Sequence, residues 1–408
     1  MKKKNYPAAP PAWLYGLAVF TIGLYLRLRY HIRIDRKQIK SIKGPLIGIA
    51  NHQSNYDFIV TAMTMWPLRM NYLASSYYFN SKPLGRLLRY MGVIPKTQFV
   101  PDSAAVLSAY RAVLRNQSIM LFPEGQVEYF GADVTIDRST AKLIKRFRVP
   151  VVNIKLRGGF LSSPKWSKKE YPARRESICE LLLTKEQIAA MTEEEIYDAV
   201  LKGISYNEYD WQRETMIPSK GIRYTDGLQN ILYRCPECNK DCVTLPDKDL
   251  LRCSSCGYTV RMNRYGFFEA VSTGGGVIYD NPAGWFRMQQ RELEKELPDI
   301  LPFSTPCNLM STGKKSLGYY MRGKGVLTVN EEGLIFEGTR DSEPFIGKFS
   351  IKTQSGITHD ARVWGIDFIG DDCNYAFCPE DPRNMIKIVE IYRILRENCM
   401  AEYGLREE

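Results

Sequence analysis

The sequence predicts an α/β fold with a largely parallel sheet, followed by a cysteine-bearing insert and a small α+β module. Short apolar runs alternate with longer mixed segments between residues 45 and 156, which predicts strands alternating with helices. Ten cysteines include a group between residues 233 and 271, where turns replace apolar periodicity. A length of 408 residues, at roughly 100 to 200 residues per domain, favours two to four domains.

Residues 1–34 are predicted to form a membrane-associated helical segment. An uncharged run of 16 residues extends from Pro11 to Leu26, with lysines before it and Arg27 and Arg29 after it. A bilayer span needs about 20 apolar residues, so this run favours a tilted, re-entrant or interfacial anchor. Arginines follow the run where a signal peptide would have a small-residue cleavage site, so the segment is expected to be retained. The alternative is a buried helix packed on the next domain.

Charge is distributed unevenly along the chain. Residues 1–170 contain 27 basic and 8 acidic residues, or +19, and the remaining 29 basic and 37 acidic residues give −8. The first part of the chain is therefore expected to meet an anionic partner, such as lipid headgroups, a phosphorylated substrate or nucleic acid.

Residues 35–215 are predicted to form one α/β domain. The strands are expected at residues 45–50, 71–75, 118–122 and 149–156, and the helices at residues 57–65, 82–91, 103–115 and 139–146. Residues 176–215 are predicted to be helical, because they contain two capping boxes, Thr184–Gln187 and Thr192–Glu195.

A histidine and an aspartate follow the first predicted strand. His52 comes directly after residues 45–50, and Asp57 is five residues later. With Ser54 as the N-cap of the next helix, Asp57 can turn back to one imidazole nitrogen and leave the other free as a base. The substrate's own hydroxyl would then take the place of the serine in a triad. The alternative is that Asp57 only caps its helix and His52 is a loop residue.

A carboxylate and a glycine follow the third predicted strand. Glu124 and Gly125 belong to the sequence FPEG, directly after the run SIMLF. The carboxyl ends of parallel strands meet at one edge of a sheet, so these residues are expected near His52. Glycine permits close approach of a ligand to the backbone.

Taken together, these motifs resemble the 1-acyl-glycerol-3-phosphate acyltransferases and their glycerolipid acyltransferase relatives. The resemblance rests on Asn51 with His52 and Asp57, on FPEG at residues 122–125, and on VPVV at residues 149–152, and it covers about residues 35–215. It implies transfer of an acyl group from acyl-CoA or acyl carrier protein to a lysophospholipid hydroxyl at the cytoplasmic face of a membrane. It also implies that His52 is the base, Asp57 orients it, and Asn51, Glu124 and Gly125 shape the acceptor site.

Two positions depart from that family's pattern. Gln126 and Val127 follow FPEG where the family usually has threonine and arginine, and Gln98 stands where a second arginine is usual. Lys96 or Arg138 is predicted to replace these phosphate-binding arginines, although lysine offers a point charge and not a bidentate fork. A different lysolipid or a glycolipid hydroxyl is the main rival acceptor, and a non-catalytic lipid-binding scaffold is the rival function.

Residues 230–270 are predicted to form a zinc ribbon. Cys235, Cys238, Cys253 and Cys256 form two C-x-x-C pairs separated by 14 residues, a pattern typical of one tetrahedral Zn²⁺. Four cysteine ligands would make the zinc structural. Residues 233–264 carry a net charge of only +2, so no nucleic-acid partner is expected, and a protein partner is the alternative.

The remaining residues are predicted to form a helical linker at residues 271–310 and a small α+β domain at residues 311–408. Short alternating runs followed by one helix near residues 383–402 weakly resemble a pleckstrin-homology-like domain in the order of elements. A lipid or protein contact role would fit such a domain.

Overall fold

A computed structural model of the chain describes residues 8–36, 42, 44–132, 136–312, 318–354, 356–361, 363–369 and 374–403. The chain divides into two compact units, Met1–Lys165 with Glu170–Lys220, and Trp166–Lys169 with Gly221–Glu408.

The first unit is built from helices and one sheet. Its helices are α1 (Ala12–Tyr30), α2 (Asp57–Met65), α3 (Lys82–Tyr90), α4 (Ser103–Leu114), α5 (Ser139–Phe147), α6 (Gly159–Ser162), α7 (Lys185–Ala190), α8 (Glu193–Ile204) and α9 (Glu208–Thr215). Its strands are β1 (Arg33–Asp35), β2 (Ile47–Ala50), β3 (Met70–Ser75), β4 (Ile94–Lys96), β5 (Ser118–Leu121), β6 (Val151–Arg157) and β7 (Glu176–Leu183).

The sheet is mixed but mostly parallel, as the sequence predicts. The seven strands lie in the order β1-β7-β6-β2-β5-β3-β4, and the β6–β7 pair is antiparallel while the other five pairs are parallel. β2 and β5 are buried along their whole length, as expected for central strands covered on both faces.

Helices cover both faces of this sheet. On one face, Ile47, Ile119 and Val151 pack with apolar residues of α4, α5 and α8. On the other, Met120 and Val152 pack with apolar residues of α1 and α2. The alternation of adjacent side chains between two cores follows from the two-residue repeat of a strand. The unit is therefore a three-layer α/β structure.

Most of the predicted elements of this unit are confirmed, but one prediction is wrong. Residues 176–183 form strand β7 and not a helix. In the sequence ESICELLL, Ser177 and Cys179 are buried while the residues on either side of them are half-buried, which is the period of a strand. The two capping boxes are correctly predicted, and they begin the helices α7 and α8 that follow β7.

The start of α2 also differs from the expectation. The helix begins at Asp57, and its N-cap residue Tyr56 makes no side-chain capping bond. Ser54 therefore does not cap the helix. Its hydroxyl donates to the Asp57 carboxylate instead, with 2.6 Å between Oγ and Oδ1.

The second unit contains two antiparallel sheets and two long helices. The smaller sheet has the order β11-β10-β9-β8, and the larger has the order β15-β14-β13-β12-β18-β17-β16. The elements are β8 (Thr244–Asp247), β9 (Leu250–Cys253), β10 (Thr259–Met262), β11 (Phe268–Ser272), α10 (Pro282–Ile300), β12 (Phe303–Thr312), β13 (Tyr319–Asn330), β14 (Gly333–Arg340), β15 (Glu343–Ser350), β16 (Thr358–Asp360), β17 (Gly365–Ile369), β18 (Asn374–Pro379) and α11 (Asn384–Tyr403). The helical linker predicted at residues 271–310 contains α10, but its residues from 303 onward belong to β12.

Helix α1 has one buried side and one exposed apolar side. Leu26 and Tyr30 are buried in the core shared with α2. Large apolar side chains on the other side are exposed: Trp13, Leu17, Phe20, Ile22, Leu24, Tyr25 and Leu28. Among the residues that the structure describes, no helix combines the length and the apolar character needed to cross a membrane.

Candidate active site and cysteine cluster

Several loops meet at the edge of the first sheet where its parallel strands end. His52 follows β2, Glu124 follows β5, Gln98 follows β4 and Gly158 follows β6. Ligands of open α/β sheets bind beyond the carboxyl ends of the strands. The topology therefore gathers the polar residues of four loops at one edge.

His52 and Asp57 form a hydrogen-bonded pair at this edge. The distance from His52 Nδ1 to Asp57 Oδ2 is 2.9 Å, and the same oxygen accepts from the backbone N–H groups of Gln53 at 2.6 Å and Ser54 at 2.8 Å. The imidazole stacks on Phe122, with 4.3 Å between the ring centroids. The His52 side chain is 21% exposed and that of Asp57 is 3% exposed, so a substrate can reach the imidazole while the carboxylate stays behind it.

Glu124 lies beside the pair. Its Oε1 accepts from the backbone N–H of His52 at 2.8 Å. Burial and, to a smaller extent, the nearby Asp57 carboxylate raise the pKa of Glu124 to about 8, against the opposing effect of the hydrogen bond from His52 N–H. The carboxyl group is therefore mostly protonated at neutral pH. A neutral acid next to Asp57 avoids a second buried negative charge and provides an O–H donor.

Gly125 turns the chain after Glu124. Its φ of +73° is in the left-handed region, where a side chain is strained. The amide of Gln98 donates to the Gly125 carbonyl. The position where the family resemblance implies an arginine therefore lies against the FPEG turn, and a neutral amide occupies it.

A buried arginine stands behind Asp57. Arg175 Nη1 donates to Ser54 Oγ at 3.0 Å, and Arg175 Nε donates to Ser162 Oγ at 2.7 Å. The guanidinium lies 3.8 Å from the centroid of the Tyr30 ring, a cation–π contact. Burial lowers the pKa of Arg175, while Tyr30 and the Asp57 carboxylate oppose this shift. Arginine remains protonated in proteins, so a buried positive charge faces the carboxylate.

A second buried carboxylate holds the loop after β6. Glu208 accepts from the backbone N–H groups of Gly158 and Leu161, each at 3.0 Å, and from Gln53 Nε2 at 3.1 Å. Burial raises the pKa of Glu208, and these N–H donors oppose the shift. Gln53 Oε1 in turn accepts from Gly159 N at 3.1 Å. The residue after His52 is thus fixed to the β6 loop.

The other predicted acceptor residues take different places. Asn51 is buried and exchanges two hydrogen bonds with the Leu156 backbone, at 2.9 and 2.8 Å, so its amide ties β2 to β6. Lys96 ends β4, two residues before Gln98, and its Nζ lies 3.3 Å from the Thr97 carbonyl. Arg138 pairs with Glu194 on α8 and lies 4.6 Å from the centroid of the Tyr197 ring.

The four predicted zinc ligands come together in the second unit. The sulfur atoms of Cys235, Cys238, Cys253 and Cys256 all lie within 4.8 Å of one another. Cys235 and Cys256 are 3.7 Å apart, and so are Cys238 and Cys253. Thiolates at about 2.3 Å from a tetrahedral zinc would lie about 3.8 Å apart. The cluster therefore fits a zinc ion in number, residue type and spacing.

Residues next to the cluster connect it to both helices of the second unit. Arg234 precedes Cys235 and donates to Asp241 at 2.6 and 3.1 Å and to Glu296 on α10 at 2.6 Å. Lys387 on α11 donates to the same aspartate at 2.6 Å. Arg234 is buried, while the side chains of Asp241 and Glu296 are 22% and 36% exposed. The network therefore places a buried positive charge directly beside the cysteine loop.

Sequence reasoning missed the residues behind the histidine–aspartate pair. Arg175 is 118 positions from Asp57, and the sequence around it contains no motif. Glu208 begins a helix with an Asn207 N-cap, so its sequence context indicates a helix start only. Neither residue has a local signal, because each reaches the site through the tertiary fold.

A family comparison bears on this geometry. Residues 27–157 match the family model described as Acyltransferase, about a third of the chain, and this segment contains His52, Asp57, Glu124 and Gly125. This segment of the chain is thus similar to the acyltransferase family. It is also similar to the crystal structure of the 1-acyl-sn-glycerophosphate (LPA) acyltransferase PlsC from Thermotoga maritima, with 14% identity over 46% of this chain and 79% of that chain and a TM-score of 0.39. No curated protein matches the chain.

Proposed function

We propose that the protein is a membrane-associated O-acyltransferase that moves an acyl group from acyl-CoA or acyl carrier protein to the hydroxyl of 1-acyl-glycerol-3-phosphate, giving phosphatidic acid for phospholipid synthesis. The observation that carries the proposal is the His52–Asp57 pair at 2.9 Å, beside Glu124 at the carboxyl edge of the sheet and inside the segment that matches the acyltransferase family.

The reaction needs one base and no covalent enzyme intermediate. Asp57 accepts a hydrogen bond from Nδ1–H of His52, which keeps that proton on Nδ1 and leaves Nε2 unprotonated. Nε2 takes the proton of the acceptor hydroxyl while the hydroxyl oxygen attacks the thioester carbonyl. The tetrahedral intermediate then expels the thiol sulfur, which recovers the proton from Nε2. The products are the ester and the free thiol, and His52 returns to its initial state.

The basic groups near the FPEG turn are the candidates for binding the acceptor phosphate. Lys96 ends the strand that leads to Gln98, so its ammonium group is the basic group we assign to the acceptor phosphate. Arg138 forms an ion pair with Glu194 on α8. Gln98 places an uncharged amide on the FPEG turn. This amide favours the alternative acceptor, a lysolipid or glycolipid that contacts the turn through a hydroxyl and not through a phosphate.

Contact with a membrane is part of the proposal. The exposed apolar side of α1 would lie in the headgroup region at the cytoplasmic face, with Arg27 at its basic end. Apolar segments flanked by basic residues bind anionic lipid surfaces. A lipid acceptor is delivered from the same surface.

We also propose that Cys235, Cys238, Cys253 and Cys256 hold a structural Zn²⁺. Zinc in this site would supply no reaction step, because four cysteines fill its coordination sphere. It would fix the loop that carries Arg234 and Asp241 and so stabilise the second unit.

The test is acyl transfer by detergent-solubilised protein with labelled acyl-CoA or acyl carrier protein and a panel of lysolipids and glycolipids. Wild type should acylate lysophosphatidic acid, and His52→Ala should lose at least about a hundredfold in rate. An exposed histidine, His31→Ala, is the matched control and should retain activity.

Each outcome decides between the stated functions. His52-dependent transfer to another acceptor only would replace lysophosphatidic acid and keep the mechanism. A protein that binds lipid but transfers nothing to any acceptor would be a scaffold, and the enzymatic proposal would be abandoned.

A further inference from the structure

A chain of three hydrogen bonds leads from a buried arginine to the imidazole. Arg175 Nη1 lies 3.0 Å from Ser54 Oγ, Ser54 Oγ lies 2.6 Å from Asp57 Oδ1, and Asp57 Oδ2 lies 2.9 Å from His52 Nδ1. We infer that Arg175 is a positioning residue for the histidine base, and that it acts by fixing the direction of every proton along this chain. The catalytic meaning of the inference rests on the proposed function.

The direction follows from which groups can donate. Arginine has only N–H donors, and an ionised carboxylate only accepts. The Ser54 oxygen must therefore accept from Arg175, so its single proton points to Asp57 Oδ1. Asp57 Oδ2 accepts the hydrogen bond from His52 Nδ1–H, beside those from Gln53 N and Ser54 N. Without Arg175, the serine hydroxyl could rotate away from the carboxylate.

The charge of Arg175 acts in the same direction. Arg175 and Asp57 are 3% and 2% exposed, so water screens their interaction weakly. A guanidinium behind the carboxylate attracts its negative charge and holds Oδ1 toward Ser54, so Oδ2 stays turned to His52 Nδ1. An acceptor at Nδ1 keeps the proton of the neutral imidazole there and leaves a lone pair on Nε2, where a base needs it.

Arg175 is held rigidly enough for this role. Its backbone N–H donates to the Tyr30 carbonyl at 3.1 Å, and its carbonyl accepts from Arg33 N at 2.9 Å. Its Nε donates to Ser162, and the Tyr30 ring covers the guanidinium. The residue directly precedes β7, which pairs with β1. The fold therefore aims one N–H at Ser54.

The inference can be tested on the tautomer of His52. The chain has three histidines, His31, His52 and His359, so ¹⁵N-histidine labelling of the full protein gives few signals, and His52→Ala assigns the one of interest. At about pH 9, where an ordinary imidazole is neutral, wild type should carry the proton on Nδ1. Arg175→Met should move a large fraction of the imidazole proton from Nδ1 to Nε2. The same variant should lower kcat roughly 10- to 100-fold and leave KM within about twofold of wild type.

Two further variants separate positioning from packing. Ser54→Ala removes the bridge, keeps the buried charge, and should shift the tautomer in the same direction even if Arg175→Met does not fold. Arg29→Met is the matched control, because Arg29 also lies over the Tyr30 ring, at 5.6 Å, and pairs with Glu170. Arg29→Met should leave the tautomer unchanged.

The results distinguish this inference from the proposed function. An unchanged His52 tautomer in both Arg175→Met and Ser54→Ala overturns the positioning role, and so does an equal shift in Arg29→Met. A tautomer shift in a protein whose wild type transfers no acyl group would keep the positioning role and refute only the enzymatic proposal.

Discussion

At the scale of single residues, the protonation of Glu124 makes stability depend on pH. Its carboxyl group has a pKa of about 8 in the folded chain and an ordinary value of 4.5. Between these values the folded chain keeps a proton that the unfolded chain has lost, so the free energy of unfolding falls as pH rises. The slope from this group is at most about 1.4 kcal/mol per pH unit.

Glu124→Gln should remove this slope, because the amide is neutral at every pH and can still accept from His52 N. Urea unfolding of both proteins between about pH 5 and pH 8 should show wild type losing stability relative to the variant. Glu214→Gln, at an exposed position on α9, is the control and should follow wild type. Parallel pH profiles for wild type and Glu124→Gln would contradict the burial of a neutral acid.

The pair His52 and Asp57 could be predicted from the sequence because its geometry is local. A strand end, a short loop and a helix start lie within ten residues, so the chain itself limits where the carboxylate can go. Arg175 could not be predicted in this way. Its position follows from the pairing of β7 with β1 and β6, which brings residues more than 100 positions apart into contact.

At the scale of elements, β7 shows where sequence patterns were misleading. Both capping boxes are present and begin helices, but a helix start says nothing about the residues before it. Those residues form a strand in which Ser177 and Cys179 are buried. The strand adds an antiparallel pair to an otherwise parallel sheet, and it supports Arg175 at its beginning.

The cysteine cluster makes a prediction at the same scale. Cys256→Ser should lower the zinc content, because three thiolates bind zinc less well than four, although Cys256 is exposed. Loss of the metal should free the loop that holds Arg234 and Asp241 and lower stability by roughly 4 kcal/mol or more. Metal content by mass spectrometry and thermal unfolding are the measurements.

Cys242→Ser is the matched control, because Cys242 lies between the two C-x-x-C pairs but outside the cluster, with its sulfur 3.6 Å from Asn384 Oδ1. It should retain one zinc per chain and most of the stability. Equal zinc content in wild type and Cys256→Ser would contradict a structural zinc site. So would a wild-type protein whose thermal stability does not change when a chelator removes its metal.

At the scale of the whole molecule, charge and apolar surface are expected to act together on a membrane. Residues 1–170 carry +19 and the remainder −8, and the exposed side of α1 belongs to the basic part. Each basic residue near an anionic membrane contributes about 1 kcal/mol, within a Debye length of about 10 Å at 0.1 M salt. Binding should therefore contain a salt-sensitive part and an apolar part.

Vesicle sedimentation separates the two parts. Binding to phosphatidylcholine vesicles containing about 30% phosphatidylglycerol should weaken at least about tenfold between about 0.05 M and about 0.5 M salt, while binding to pure phosphatidylcholine should change little. Leu28→Ser should weaken both roughly tenfold by removing about 1.5 kcal/mol of apolar contact. Leu114→Ser is the matched control. Leu114 is 67% exposed and Leu28 is 68% exposed, but Leu114 lies on α4. Equal losses in the two variants would show that α1 is not the membrane-binding element, because exposed leucine on another helix would then serve as well.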